Sequence, residues 1–178
     1  MSSFIERMLG AAKLDVKTYE EVEADTSALG QAVGVVLIAS LAAGIGTLTR
    51  AGLSGLVYGL IAALIGWFIW AFITYLVGTK LFPEPQTKSD MGELLRTIGF
   101  SSSPGIIRIL GIIPALEALV FLVAGIWMLV AMVIAVRQAL DYTSTWRAVG
   151  VCAIGWIVQV IVIGLMFAVF AGPQGAGQ

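Results

Sequence analysis

Residues 91–114 read MGELLRTIGFSSSPGIIRILGIIP, and the reading of this stretch decides how often the chain crosses a membrane. Leu94, Leu95 and Ile98 place an apolar stripe on a helix that also carries Glu93 and Arg96, which makes it too polar to span alone. Ser101, Ser102 and Ser103 followed by Pro104 form a helix start, and Pro114 ends that helix about ten residues later. Ten α-helical residues cover about 15 Å, half of a hydrocarbon core of about 30 Å. Together, residues 91–99 and 104–113 make one discontinuous crossing, with the backbone broken between Gly99 and Ser103. The alternative is a re-entrant segment that leaves four spans.

On either side the apolar runs are long enough to span outright. Residues 28–48 and 53–77 carry no charge, residues 115–136 follow Pro114, and residues 149–170 precede Gly172 and Pro173. The chain is 59% hydrophobic and 12% charged, against about 25% charged in soluble domains, so lipid is its solvent. The predicted fold is an all-α integral membrane domain over residues 28–171, with five transmembrane helices of which the third is discontinuous. Residues 1–27 form an N-terminal amphipathic and acidic segment, and residues 172–178 a flexible tail.

Positive charge tests this count, because Lys and Arg in short loops near span ends favour the cytoplasm. Five spans put Arg7, Lys13, Lys17, Lys80, Lys88, Arg96, Arg137 and Arg147 on the N-terminal side and Arg50 alone on the other. Four spans would move Arg137 and Arg147 across. The sharper separation predicts a multi-pass protein of the plasma (inner) membrane, N-terminus cytoplasmic and C-terminus extracytoplasmic.

Before the first span, Phe4, Ile5, Met8, Leu9 and Ala12 share one helical face, and Ser3 and Glu6 are spaced as a capping box. This short amphipathic helix either lies in the headgroup layer or packs on the ends of the spans. A second pattern, Thr18 with Glu21, predicts a further short helix in an acidic, solvated connector. No cleavage signal follows a short hydrophobic stretch, so the first span is expected to be retained.

Several chemistries are disfavoured by composition. The chain has no histidine and one cysteine, which removes the usual metal ligand, general base and disulfide. The three serines near Pro104 lack a base to activate them, so capping is their expected role. Ten Lys and Arg are scattered singly, which argues against nucleic acid. No catalytic residue, metal site or cofactor is expected.

Two features invite a role. Gly55, Gly59, Ala62 and Gly66 keep small residues on one face of the second span, with Gly30 and Gly34, then Ser40 and Gly44, in the first as its partner surface; packing among the spans is expected, and an oligomeric contact is the alternative. Arg108 lies in an apolar run, where an unpaired cation costs about 2.5–3.5 kcal/mol. Its expected partners are Glu117, carbonyls of the broken helix, or lipid phosphate. Gln159 is expected to make one interhelical hydrogen bond. Glu117 itself falls in the first turn of the fourth span, where the helix dipole favours a carboxylate.

From Leu95 to Pro104 the chain reads LRTIGFSSSP, which resembles the Gly-Tyr-x-x-x-Pro signature of the Yip domain family of Ypt/Rab-interacting membrane proteins. Phe100 stands at the tyrosine position, after Gly99 and before Pro104. The segments Gly125-Ile126-Trp127 and Val136 to Leu140 are similar to small prokaryotic-type members, so that the resemblance covers roughly residues 15–170. It implies five spans and a cytoplasmic N-terminus. The long Pro/Gly-rich N-terminal region of eukaryotic members is absent, which points away from Rab GTPase binding. The expected function is that of a non-enzymatic organiser or adaptor whose partners are membrane lipids and other membrane proteins or itself. An accessory subunit of a larger membrane complex is the alternative, and a small transporter or channel the third reading.

Overall fold

The computed structural model describes the backbone of residues 2–170 and side-chain surroundings through residue 161; the predicted tail at 172–178 lies outside the described residues. Every regular element among them is helical: α1 (Phe4–Ala12), α2 (Val16–Ala24), α3 (Leu29–Gly46), α4 (Leu48–Leu76), α5 (Met91–Phe100), α6 (Glu117–Ala139) and α7 (Thr145–Phe170). A 3-10 turn at Thr26–Ala28 leads into α3, a π-helical turn at Val77–Leu81 ends α4, and a 3-10 helix at Ser103–Ile112 follows α5. Among the described residues three helices are long and apolar enough to cross a membrane: Thr26–Gly46, Leu48–Leu81 and Glu117–Ala139. The chain is a multi-pass membrane protein.

Residues 91–112 form a helix, a two-residue turn and a second helix. Asp90 and Glu93 close a capping box at the start of α5, and the Ser101 and Ser103 hydroxyls donate to the carbonyls of Ile98 and Phe100 at 2.7 Å. The turn falls at Ser101 and Ser102, and Gly99 is an ordinary helical residue of α5. The second piece is a 3-10 helix with Pro104 in its first turn, and this changes the arithmetic of length. At about 2.0 Å per residue its ten residues cover about 20 Å, where an α-helix would cover about 15 Å.

The end of α5 and the 3-10 helix form the principal seam of the bundle against α3. Gly99, Gly105 and Gly111, six residues apart, face Ala32, Ala39 and Gly46 of α3, seven apart. From Gly105 to Gly111 the chain makes two turns of 3-10 helix in six residues, whereas two α-turns take about seven, so these two glycines face the same side of α3. A Cβ on Gly99 would lie 2.7 Å from Ala32 Cβ, one on Gly105 3.3 Å from Ala39 Cβ, and one on Gly111 3.1 Å from the Gly46 carbonyl oxygen. Gly46 in turn abuts the Arg108 carbonyl.

The N-terminal segment packs on the bundle. The capping box of Ser3 and Glu6 is present, but α2 starts from Asp15, not from Thr18, whose hydroxyl donates back to Asp15 at 3.0 Å. Arg7 is buried and pairs with Glu21 at 3.0 Å and Asp25 at 2.8 Å, and it donates to Gln31 at 3.1 Å. Tyr19 donates to the Ala11 carbonyl, and Trp127 of α6 to that of Ala12 at 2.7 Å. The acidic stretch is therefore a docked helix rather than a solvated connector. Ser2 and Arg7 together hold the Glu21 carboxyl down to about 2.

At the same end, the loops after α4 and α6 lock together. Glu84 accepts from the Thr143 amide and hydroxyl and pairs with Arg147 at 3.3 Å. The Tyr142 hydroxyl lies 3.0 and 2.7 Å from the carbonyls of Gly78, in the π-turn, and of Phe82, just after it. At the opposite end Gly52, at φ +64°, kinks the start of α4, a left-handed conformation that suits glycine. There Arg50 pairs with Glu117 at the first position of α6.

Candidate functional site

Between α4 on one side and α3, the 3-10 helix, α6 and α7 on the other lies a cavity of about 450 Å³, within the range of ligand sites. Its α4 wall is Gly55, Gly59, Ala63 and Gly66, ending at Trp67 and Trp70. Ser40, Gly44 and Thr47 of α3 and Phe121, Met128 and Met132 of α6 line the other side. Arg108 and Gln159 also face it.

The glycine stripe is where expectation and structure part. Side chains added at Gly59 and Gly66 would meet nothing within 4 Å, and one at Gly55 would meet only Ala51 of its own helix. Ala62 is exposed. In α3, Gly30 is open and Gly34 sits under the Phe4 ring, whereas Gly44 approaches Leu56 of α4. Close packing of α3 belongs to the seam with residues 99–111. The α4 stripe instead leaves room, and the most apolar window of α4 is 11% buried.

The polar groups follow the same division. Arg108 does not meet Glu117, which Arg50 holds, and the carbonyls beside the α5 turn are occupied by serine hydroxyls. Its guanidinium stands over the Phe121 ring at 5.5 Å, and its Nε is buried without a hydrogen-bond partner. The ring offers about 0.5–1 kcal/mol or somewhat more when desolvated, less than an ion pair in such a site would. No hydrogen bond to Gln159 is found among the described residues, contrary to the expected interhelical bond. Arg108 and Gln159 thus open onto one cavity.

Arg96 has a different fate. It is buried and donates from Nε to the carbonyls of Val22 at 3.0 Å and Glu23 at 3.1 Å, so it pins the C-terminal end of α2 to α5. Phe100 is fully buried among Tyr19, Val22, Ala32, Val35 and Ala135. Residues 99–104 therefore join the docked N-terminal helices to the seam. Trp67 and Trp70 are anchored at the cavity wall, donating to the Leu95 carbonyl at 3.1 Å and the Met132 sulfur at 3.3 Å.

A family model for the Yip1 domain matches residues 16–166, from α2 into α7. The chain belongs to the Yip1 domain family. No curated protein and no solved structure gives a match. In this Yip1 domain, Gly99 and Phe100 supply close packing and core while Pro104 opens the 3-10 helix. The cavity opens beside that helix, at Arg108. A sequence signal for it was present in the unpaired arginine and the glycine stripe, but not in the fact that they face one cavity.

Proposed function

We propose that this Yip1-domain protein is a non-enzymatic membrane organiser that acts through contacts made inside the bilayer. The observation that carries the reading is the lateral cavity, onto which Arg108 and Gln159 open without a hydrogen-bond partner among the described residues, between walls that are largely apolar. Polar groups of this kind within membrane spans mark functional surfaces by default. No nucleophile with an adjacent base lines the cavity.

The same reading gives the chain five crossings of the plasma (inner) membrane, with the N-terminus cytoplasmic. Its support is geometric. Loops 82–88 and 141–147 meet at one end, and Arg50 meets Glu117 at the other, so residues 89–116 have to pass between the two ends. About 15 Å of α5 and about 20 Å of 3-10 helix suffice for a core of about 30 Å. The charge asymmetry of eight against one follows from this arrangement.

Purification of the full chain in a gentle detergent, with mass spectrometry of what comes with it, tests the role. An organiser gives substoichiometric membrane proteins and discrete homo-oligomers. A fixed, stoichiometric partner set would replace this reading with that of an accessory subunit.

A further inference from the structure

We propose that the cavity holds one net-anionic glycerophospholipid, with its phosphodiester on Arg108 and one acyl chain along the glycine wall of α4. The proposal deepens the organiser reading and rests on its placing of the cavity within the bilayer.

Arg108 carries a charge that no carboxylate of the cavity neutralises, because none lines it and Glu117 is held by Arg50. A planar guanidinium with free donors matches a phosphate oxygen pair in bidentate geometry, and phosphate is the abundant anion at the depth of a lipid headgroup. The depth is right for a headgroup. Arg108 stands over Phe121, one turn inside the end of α6 that begins at Glu117, close to the Arg50 end of the bundle. From Gly55 to Trp70 the α4 wall runs about 22 Å at 1.5 Å per residue, more than the roughly 15 Å of a single leaflet. The missing side chains at Gly59 and Gly66 leave that length open, and Gln159 adds an amide able to donate to a lipid ester.

A transmembrane helix of another protein would fit the glycine wall but would leave Arg108 without a counter-charge. A zwitterionic lipid would bring an ammonium into a cavity with no acid to receive it. Net negative charge is therefore the selective feature. Water could satisfy Arg108 but would gain little from the apolar length of the wall.

Native mass spectrometry of the full chain, released from nanodiscs made of phosphatidylglycerol and phosphatidylcholine in equal parts, tests the proposal. The wild type is expected to retain one phosphatidylglycerol, about tenfold in preference to phosphatidylcholine, as a charge-assisted pair would provide. Arg108→Gln should abolish the preference, and Arg108→Lys should keep part of it. Gly59→Leu, which blocks the tail without touching the charge, should lower retention of both lipids. Equal retention of the two lipids by the wild type, or an undiminished preference in Arg108→Gln, would overturn the proposal. If Arg108→Gln fails to fold, Arg108→Lys and Gly59→Leu take its place, and either of them overturns the proposal by behaving as wild type. Loss of the lipid preference with the membrane-protein pull-down unchanged would leave the organiser reading standing.

Discussion

Arg7 and Arg108 are the same side chain in opposite circumstances. Arg7 sits at the end of the bundle where the N-terminal helices dock, and two carboxylates and an amide meet it. Arg108 sits near the other end, where the nearest carboxylate belongs to another arginine and one nitrogen is buried without a partner. The difference separates structure from ligand binding: a buried charge that is fully matched holds elements together, whereas an unmatched one beside a cavity is available to something else. Glycines divide in the same way. Those at 99, 105 and 111 let backbones touch, while those at 59 and 66 keep a wall empty.

The largest expected contrast is between the two arginines. Arg7→Leu should destabilise the protein by about 2–4 kcal/mol, below the full cost of breaking a buried pair because Glu21 remains partly hydrated. Arg108→Leu, measured in a delipidating detergent, should stay within about 1 kcal/mol of wild type, since it loses a cation–π contact and gains by removing an unsatisfied donor. Chemical denaturation followed by far-UV circular dichroism measures both. Equal losses would erase the distinction between the two ends.

The glycines sharpen it further. Gly99→Ala should cost about 1–3 kcal/mol, because its Cβ meets Ala32 Cα and carbonyl oxygen at 3.2 Å as well as Ala32 Cβ. Gly59→Ala has open space and should be neutral or stabilising by about 0.5–1 kcal/mol through helix propensity. Thermal unfolding in one detergent ranks them, and a larger loss at Gly59 would mean that the wall is occupied by protein.

A smaller effect concerns the docked α2. Burial raises the Glu23 carboxyl to about 7, Glu93 and Asp141 adding to the shift and Arg96 opposing it. A raised carboxyl favours the docked state when protonated, so its contribution is fully present below the ordinary value near 4.5 and is lost as pH rises through about 7. Hydrogen exchange in α2, corrected for intrinsic rate, should therefore be faster at about pH 8 than at about pH 6, and Glu23→Gln should remove the difference. The depressed Glu21 acts in a separate window, its contribution falling away below about pH 4.5.

Much of the architecture is legible without coordinates, because an uncharged run of twenty residues in lipid has few alternatives to a helix. The Ser3 and Glu6 cap and the break before Pro104 follow from local chemistry. The 3-10 helix does not: by composition residues 103–112 would serve equally as α-helix, and nothing in their sequence shows that they pack against α3. That seam is equally hard to see in the sequence, since Ala32, Ala39 and Gly46 lie in a stretch already rich in Ala and Gly, whereas the denser glycines of α4 advertise a packing they do not make. The pairing of Glu117 is hidden too. Arg50 and Arg108 both reach the same end of the bundle, and tertiary placement alone decides between them.

The five-span topology depends most on residues 91–112 carrying the chain from the docked end to the Arg50 end across the bilayer. Single cysteines in a Cys152→Ala background test this with a membrane-impermeant maleimide on intact cells. Lys88→Cys and Thr145→Cys should be protected until the membrane is permeabilised, while Ala115→Cys, beside the exposed start of α6, should label at once. Labelling of Thr145→Cys on intact cells while Lys88→Cys stays protected would make residues 91–112 re-entrant and contradict the five crossings.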